Sequence, residues 1–364
     1  MNTRDLSSHT VYRAGRGVEE VARDLGLDPA DLVKLSSNEN PFGPSPEAVA
    51  AIREHADRVS RYPKTAHTDL RAKIADRLGV TAEQVWLSPS GDVGLDYLAR
   101  AVIGAGQRVL VPRPGFAYYA MSARYHHGAV DKYHLDPADD FAQPPERVLD
   151  AYDGHRVVYV TSPHNPTGSE MALDDVRTVA EATDEETLVV LDEAYHQFSE
   201  APTGLDLVGE RDDVALLRTF SKAYGLAGMR LGFAVVPEEW ADAYARVNTP
   251  FGVTELTCRA GLAALDDEEH VDKTIETARW AREYVHEHID ASVRDSGGNF
   301  VLVDVGDASA VIDACQREGV ILRDCTSFGL PERVRITCGT RDETKRAVDT
   351  LNEVLAEVDS CASQ

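Results

Sequence analysis

Lysine is scarce in this chain, supplying seven of its 37 basic side chains against 62 aspartates and glutamates. The formal net charge of -25 opposes nucleic-acid backbones and anionic membranes, and no local basic patch offsets it. Abundant carboxylates with arginine in place of lysine suit a halophilic protein, because a Debye length of about 3 Å at 1 M salt relieves the self-repulsion. Cysteine is also sparse. The five cysteines (Cys258, Cys315, Cys325, Cys338 and Cys361) are odd in number and lack any C-x-x-C spacing. That argues for thiols in a reducing compartment rather than disulfides or a zinc site, and no metal is expected. No run approaches the roughly 18 apolar residues of a membrane span, and the opening MNTRDLSSHT has no apolar signal core. A cytoplasmic location follows as the expectation. There is no G-x-G-x-x-G, no G-x-x-x-x-G-K-[ST] and no H-E-x-x-H, and His126-His127 and His286-x-His288 lack the spacing for shared ligation on a helix face. A DNA-binding regulator would need a basic helix-turn-helix module, which the sequence does not contain.

What is present is core material: 364 residues, 43% of them apolar, enough for one large and one small domain. Short β-branched runs recur at 85–90, 108–114, 156–163, 187–195, 214–221 and 230–237. Alternating with helical stretches such as 94–106 and 173–184, they predict an α/β fold with a mostly parallel sheet flanked by helices. Chemistry then belongs at the strand ends. After about residue 250 the pattern changes to a long amphipathic helix, strands at 299–305 and 334–338, and a terminal helix with Val348, Leu351 and Leu355 on one stripe. That predicts a large domain over 46–250 and a smaller α+β domain over 251–364.

The segment LLRTFSKAYGLAGMRLGF (216–233) leaves a buried strand through Thr219, Ser221 and Lys222 and returns at Arg230. A lysine sheltered at a strand end can be a neutral amine, the form that attacks an aldehyde. Arg230 can anchor a phosphate by charge-assisted bonds. In VVLDEAYHQF, Asp192 follows four apolar residues, so its carboxylate needs a cationic partner, either an arginine or a protonated pyridine nitrogen. SPHNPTG (162–168) makes a turn that points the Asn165 amide at the sheet edge. SPSGDVG (88–94) opens a helix whose amides near Gly91 and Asp92 form an anion site, and Phe116 can lie flat on an aromatic ring. Taken singly, each motif has a plain structural reading: a surface lysine, an ion-paired aspartate, an ordinary turn, a core phenylalanine.

Together, Asn165, Asp192 with Tyr195, and Thr219, Ser221, Lys222 and Arg230 resemble the signature of fold-type I, class I/II aminotransferases that use pyridoxal 5'-phosphate (PLP). The resemblance implies that Lys222 bonds the cofactor aldehyde and acts as the catalytic base. It also implies that Asp192 pairs with the pyridine nitrogen and that Asn165 and Tyr195 bond the phenolic oxygen. Arg230, Thr219, Ser221 and the amides of Gly91 and Asp92 would hold the phosphate under Phe116. KLSSNENPFGPSP (34–46), RYPKTAHTDLR (61–71), GVILRDC (319–325) and VRITCGTRDE (334–343) are similar to histidinol-phosphate aminotransferases over almost the whole chain. That family implies an N-terminal arm over 1–45 carrying Tyr12 and packing on the small domain or a dimer partner. It implies a homodimer in which Tyr62 reaches the neighbouring cofactor, and substrate contacts from Tyr12, Asn40, Arg323 and Arg335. The implied substrates are histidinol phosphate and glutamate or 2-oxoglutarate. Two places depart from the family pattern: Ser90-Gly91-Asp92-Val93 stands for the usual G-[AS]-D-E, and Val11-Tyr12-Arg13-Ala14-Gly15 for P-Y-x-P-G.

A threonine-phosphate decarboxylase of the cobalamin pathway shares the cofactor and resembles the chain around RDCTSFGL (323–330), and another amino-acid aminotransferase is a further alternative. NENPFGP and RITCGTRDE favour the histidinol-phosphate enzyme.

Overall fold

The computed structural model describes residues 6, 7, 9, 11, 12, 15 and 17–362, with side chains through 358. Arg13 and Ala14 of the expected arm, and the Cys361 thiol, lie outside the described residues.

Seven strands form the main sheet: β1 (Val85–Ser88), β2 (Arg108–Arg113), β3 (Ala129–His134), β4 (Val157–Thr161), β5 (Leu188–Asp192), β6 (Val214–Thr219) and β7 (Gly232–Val235). Their spatial order is 1-7-6-5-4-2-3, with every neighbouring pair parallel except those made by β7. Strands β1, β4, β5, β6 and β7 are buried at every residue, which explains their mostly apolar sequence, with polar residues gathered toward the carboxyl ends of β1, β4, β5 and β6: both faces are covered. Strand β3 has no such run. It sits at the sheet edge, carries Asp131 and Lys132, and buries only Tyr133, so its sequence does not advertise a strand.

One apolar cluster covers one face of the sheet, with Leu70, Val158, Leu191 and Leu216 at its heart. The other face is covered by helices including Gly91–Val102 and Ala117–Tyr125, through Leu95, Leu98, Tyr119 and Tyr159. Because β1, β4, β5 and β6 run the same way, their carboxyl ends converge on one edge. Gly232 of β7 lies between Ser88 and Thr219, and a Cβ there would stand 2.5 Å from the Gly91 nitrogen. Only glycine lets the β1 turn approach this closely.

A second, antiparallel sheet joins β8 (Phe300–Asp304), β9 (Arg323–Asp324) and β10 (Arg333–Thr337) in the order 9-10-8. Its register sets Arg323 opposite Arg335. Its core is separate, with Val301, Val303, Val334 and Ile336 packing on Val348 and Leu351 of the terminal helix Arg341–Ala362. Truncating Leu351 to alanine costs about 2–5 kcal/mol by the usual cavity rule. Val33–Lys34 adds a short parallel pairing with Val320–Ile321, which ties the N-terminal segment to this second layer. Among the described residues, no helix is long and apolar enough to cross a membrane.

Candidate active site

A cavity of about 1030 Å³ lies between the carboxyl edge of the large sheet, the small sheet and the segment Ser36–Asn38. Every residue expected at the cofactor except Tyr62 lines it: Gly91, Asp92, Phe116, Asn165, Asp192, Tyr195, Thr219, Ser221, Lys222 and Arg230. So do Tyr12, Arg323 and Arg335.

Lys222 follows β6 and donates from Nζ to the Ser37 carbonyl at 3.2 Å, with the ammonium 5.6 Å from the Tyr195 ring centroid. Burial, helped by the Arg335 charge, pulls its pKa down to about 8. The amine is thus poised to lose its proton near neutrality, as a nucleophile or base requires.

Asp192, the last residue of β5, is buried and accepts from the Tyr119 hydroxyl at 2.7 Å and the Ala194 amide at 2.9 Å. Burial pushes its pKa up to about 6, against the lowering effect of those two bonds. Among the described residues, none of its bonds comes from a cation. A buried carboxylate of this kind favours a positive ligand atom brought against it.

The anion cradle forms at the opposite end. Ser90, at φ 114°, caps the helix Gly91–Val102 by accepting the Val93 amide at 3.3 Å, so the first helical amides open on the cavity. Arg230 reaches this end and pairs with Asp92 at 3.0 Å. The Thr219 hydroxyl donates to Ser221 Oγ at 3.0 Å. A phosphate dianion would gather these amides, the hydroxyls and the guanidinium.

The small sheet supplies the far wall. Arg335 is buried, donates from Nη1 to Asn165 Oδ1 and from Nη2 to the Ser36 carbonyl at 3.0 Å, and lies 5.3 Å from the Phe300 ring. Its neighbour Arg323 bonds Ser327 Oγ at 3.1 Å. Tyr12 meets Phe116 edge-on with centroids 6.1 Å apart.

Two expected residues are elsewhere. Asn40 is no part of the cavity wall: its amide bonds the Ala223 carbonyl at 2.9 Å and Thr274 Oγ1 at 3.0 Å, fastening the chain behind Lys222. Tyr62 is 84% exposed, packs on Phe251 at 4.8 Å, and does not enter its own chain's cavity.

Several residues at or beside the site were not singled out from the sequence. Asn38, at φ 52°, donates to the Tyr195 hydroxyl at 3.0 Å and takes its place in the wall two residues before Asn40. Tyr119 and Thr161 complete a hydroxyl chain to Asp192. The only signal for Tyr119 was its position one turn after Phe116. Beside Asp192, Glu193 is 2% and Arg218 7% exposed in their side chains, joined at 2.7 Å. Breaking such a pair costs about 3–5 kcal/mol, so it holds the ends of β5 and β6 together.

A depressed lysine, an anion cradle and a buried carboxylate awaiting a cation are the three demands of PLP, and the residues present fit that cofactor. Residues 30–351 match the family model "Aminotransferase class I and II". The chain is 67% identical to the histidinol-phosphate aminotransferase of Haloarcula marismortui, over 98% of this chain and 99% of the relative. Identity to that of Natronomonas pharaonis is also 67%, over 98% and 100%. Among solved structures it resembles histidinol-phosphate aminotransferase from Sinorhizobium meliloti in complex with pyridoxal-5'-phosphate, with a TM-score of 0.88, 27% identity and 98% of both chains covered. The chain belongs to the class I and II aminotransferases, fold-type I enzymes that use PLP, and within them to the histidinol-phosphate aminotransferase family. The haloarchaeal relatives accord with its acidic, lysine-poor composition.

Proposed function

We propose that the enzyme transfers the amino group of L-histidinol phosphate to 2-oxoglutarate, giving imidazole acetol phosphate and L-glutamate. The observation that carries this reading is the cross-strand pair Arg323 and Arg335 on the cavity wall opposite the cradle of Arg230, Thr219 and Ser221. One substrate brings a phosphate and the other carboxylates, and forked guanidinium groups bind either anion. The full-length relatives support this reading over the decarboxylase.

When bound, PLP supplies an aldehyde and an electron-withdrawing ring. Asp192, which meets no cation among the described residues, would hold the pyridine nitrogen protonated. Lys222 would take the proton from the donor's α-carbon and hold it on Nζ as the general acid-base of the site. Asn165 and Tyr195 would hydrogen-bond the phenolic oxygen, with Tyr195 oriented by Asn38. Gly91, Asp92, Thr219, Ser221 and Arg230 would hold the cofactor phosphate, and Phe116 would cover the ring. Tyr12 closes the substrate side.

We further propose a cytoplasmic homodimer in which the exposed Tyr62 enters the partner's cavity. An arm over 1–45, a large domain over 46–250 and a small domain over 251–364 are the units we assign.

The test is an amino-donor screen with 2-oxoglutarate in high salt. Histidinol phosphate is expected to give the highest kcat/KM, with glutamate formed one for one. Carbon dioxide release from threonine phosphate without a keto-acid acceptor would instead identify the decarboxylase.

A further inference from the structure

Away from the cofactor cavity, three unlike donors meet where the helix Thr68–Leu78 approaches the helix Glu255–Asp266. A ring nitrogen of His67, Sγ of Cys258 and a carboxylate oxygen of Asp69 lie within 4.8 Å of one another. The thiol points at Asp69 Oδ1 from 3.8 Å. His67 is 4% exposed, and its backbone is left-handed at φ 42°. Its Nε2 bonds the Val253 carbonyl at 2.9 Å, so the proton sits on Nε2 and the lone pair on Nδ1. That Nδ1 is buried and has no partner among the described residues. A backbone carbonyl fixing one ring nitrogen so that the other is free to donate is the support a metal-bound histidine needs.

We infer that His67, Asp69 and Cys258 form a site for a borderline-soft divalent cation of the zinc type, with solvent as fourth ligand. One imidazole, one thiolate and one carboxylate select such an ion over magnesium or calcium, which take oxygen sets. The charges balance: the ion's two positive charges meet one thiolate and one carboxylate, and the imidazole stays neutral. Binding forms the metal–sulfur bond and breaks S–H, and the proton leaves to solvent. Burial, with Asp69 and Glu255 nearby, pushes the Cys258 thiol up to about 12, so the empty site holds the neutral thiol and affinity rises with pH.

Lys64 faces the same carboxylate, bonding Asp69 Oδ2, and has Glu255 3.9 Å away. The metal takes the Oδ1 edge, and Lys64 can turn to Glu255, which Arg259 already holds at 2.8 Å. Asp69 is 34% and Lys64 43% exposed in their side chains, which gives water its path to the fourth position. Such a clamp ties residues 67–69 to 253–258, two segments that flank Tyr62 and Phe251. It is invisible to sequence spacing, since Cys258 lies 189 residues from Asp69, and it revises the expectation of no metal.

The test uses the PLP-loaded enzyme, stripped with a chelator and dialysed against limiting zinc ion alone, with bound metal counted by mass spectrometry. Cobalt(II) replaces zinc in a parallel arm read by its visible absorption. The expected result is one zinc per chain, one proton released per zinc, and an intense tetrahedral cobalt spectrum. Cys258→Ser and His67→Ala, checked for retained PLP absorbance and circular dichroism, should bind at least about tenfold more weakly. Substoichiometric zinc, or a weak octahedral cobalt spectrum in the unaltered enzyme, overturns the site whatever the variants do. Equal binding by folded Cys258→Ser overturns it as well.

Discussion

The hydroxyl of Tyr119 donates to Asp192 Oδ2 at 2.7 Å and is itself 2.8 Å from Thr161 Oγ1. Three neighbouring elements thereby control one carboxylate. Removing the hydroxyl in Tyr119→Phe takes away a bond that favours the ionised form, so the Asp192 pKa rises further above about 6. A hydrogen bond to a charged group contributes about 1.5–3 kcal/mol, which corresponds to about one unit or more. The variant should retain PLP, lose roughly tenfold in kcat, and move the acid limb of its pH profile to higher pH. An unmoved limb would show that Tyr119 only fills space.

Asp192→Asn should keep the cofactor, because the phosphate cradle is untouched, and lose on the order of 10² to 10⁴ in rate. Stability separates this role from a structural one. The folded pKa of Asp192 is raised to about 6. Between the unfolded value and that one the native state binds the extra proton, so ionising Asp192 destabilises the cofactor-free protein as pH rises through this window. Cofactor-free Asp192→Asn should therefore melt higher than its parent at pH 7, by on the order of 1–3 kcal/mol. The advantage should vanish near pH 4. A variant less stable than its parent at pH 7 without cofactor would refute the unpaired carboxylate.

Lys222, with its pKa lowered to about 8, should capture PLP at a rate that climbs with pH and levels above about 8. Borohydride reduction and peptide mapping should find the adduct on Lys222. Because the Arg335 charge helps to lower this pKa, Arg335→Gln should shift the midpoint upward. Stopped-flow absorbance across pH measures both, and an adduct on another lysine sinks the assignment.

Arg335→Gln should also weaken both half-reactions, since the same guanidinium is assigned a phosphate in one and a carboxylate in the other. Each lost charge-assisted contact costs about 2–3 kcal/mol in transition-state binding. Single-turnover kinetics with histidinol phosphate and with glutamate check this, and a loss confined to glutamate would rule out the shared pocket.

Mixing inactive Lys222→Ala subunits with Tyr62→Ala subunits should restore activity, because one site of each heterodimer draws both intact groups from different chains. The expected recovery is up to half the native sites among verified heterodimers. No recovery would mean that Tyr62, 84% exposed in the single chain, does not complete a neighbour's site.

Much of this was legible in the residues. The buried parallel strands declared themselves because both faces are covered and most positions are apolar, whereas edge strand β3, which buries only Tyr133, wrote no such pattern. The chemistry at strand ends was legible for a related reason: Asn165, Asp192 and Lys222 each interrupt or follow an apolar run, so a polar group there is conspicuous. The sequence by itself therefore determined the α/β layering, the strand-end positions of Lys222 and Asp192, and the acidic, lysine-poor composition. Only tertiary structure decided which asparagine of SSNEN faces the cavity, because the left-handed turn at Asn38 sends that side chain to Tyr195 and leaves Asn40 to tie backbone. It alone set Tyr119 on Asp192, placed Arg323 opposite Arg335 across two strands, and brought His67 and Asp69 to Cys258. Those contacts join residues far apart in the chain, where neither periodicity nor spacing records a distance, and packing of one element on another is what creates them.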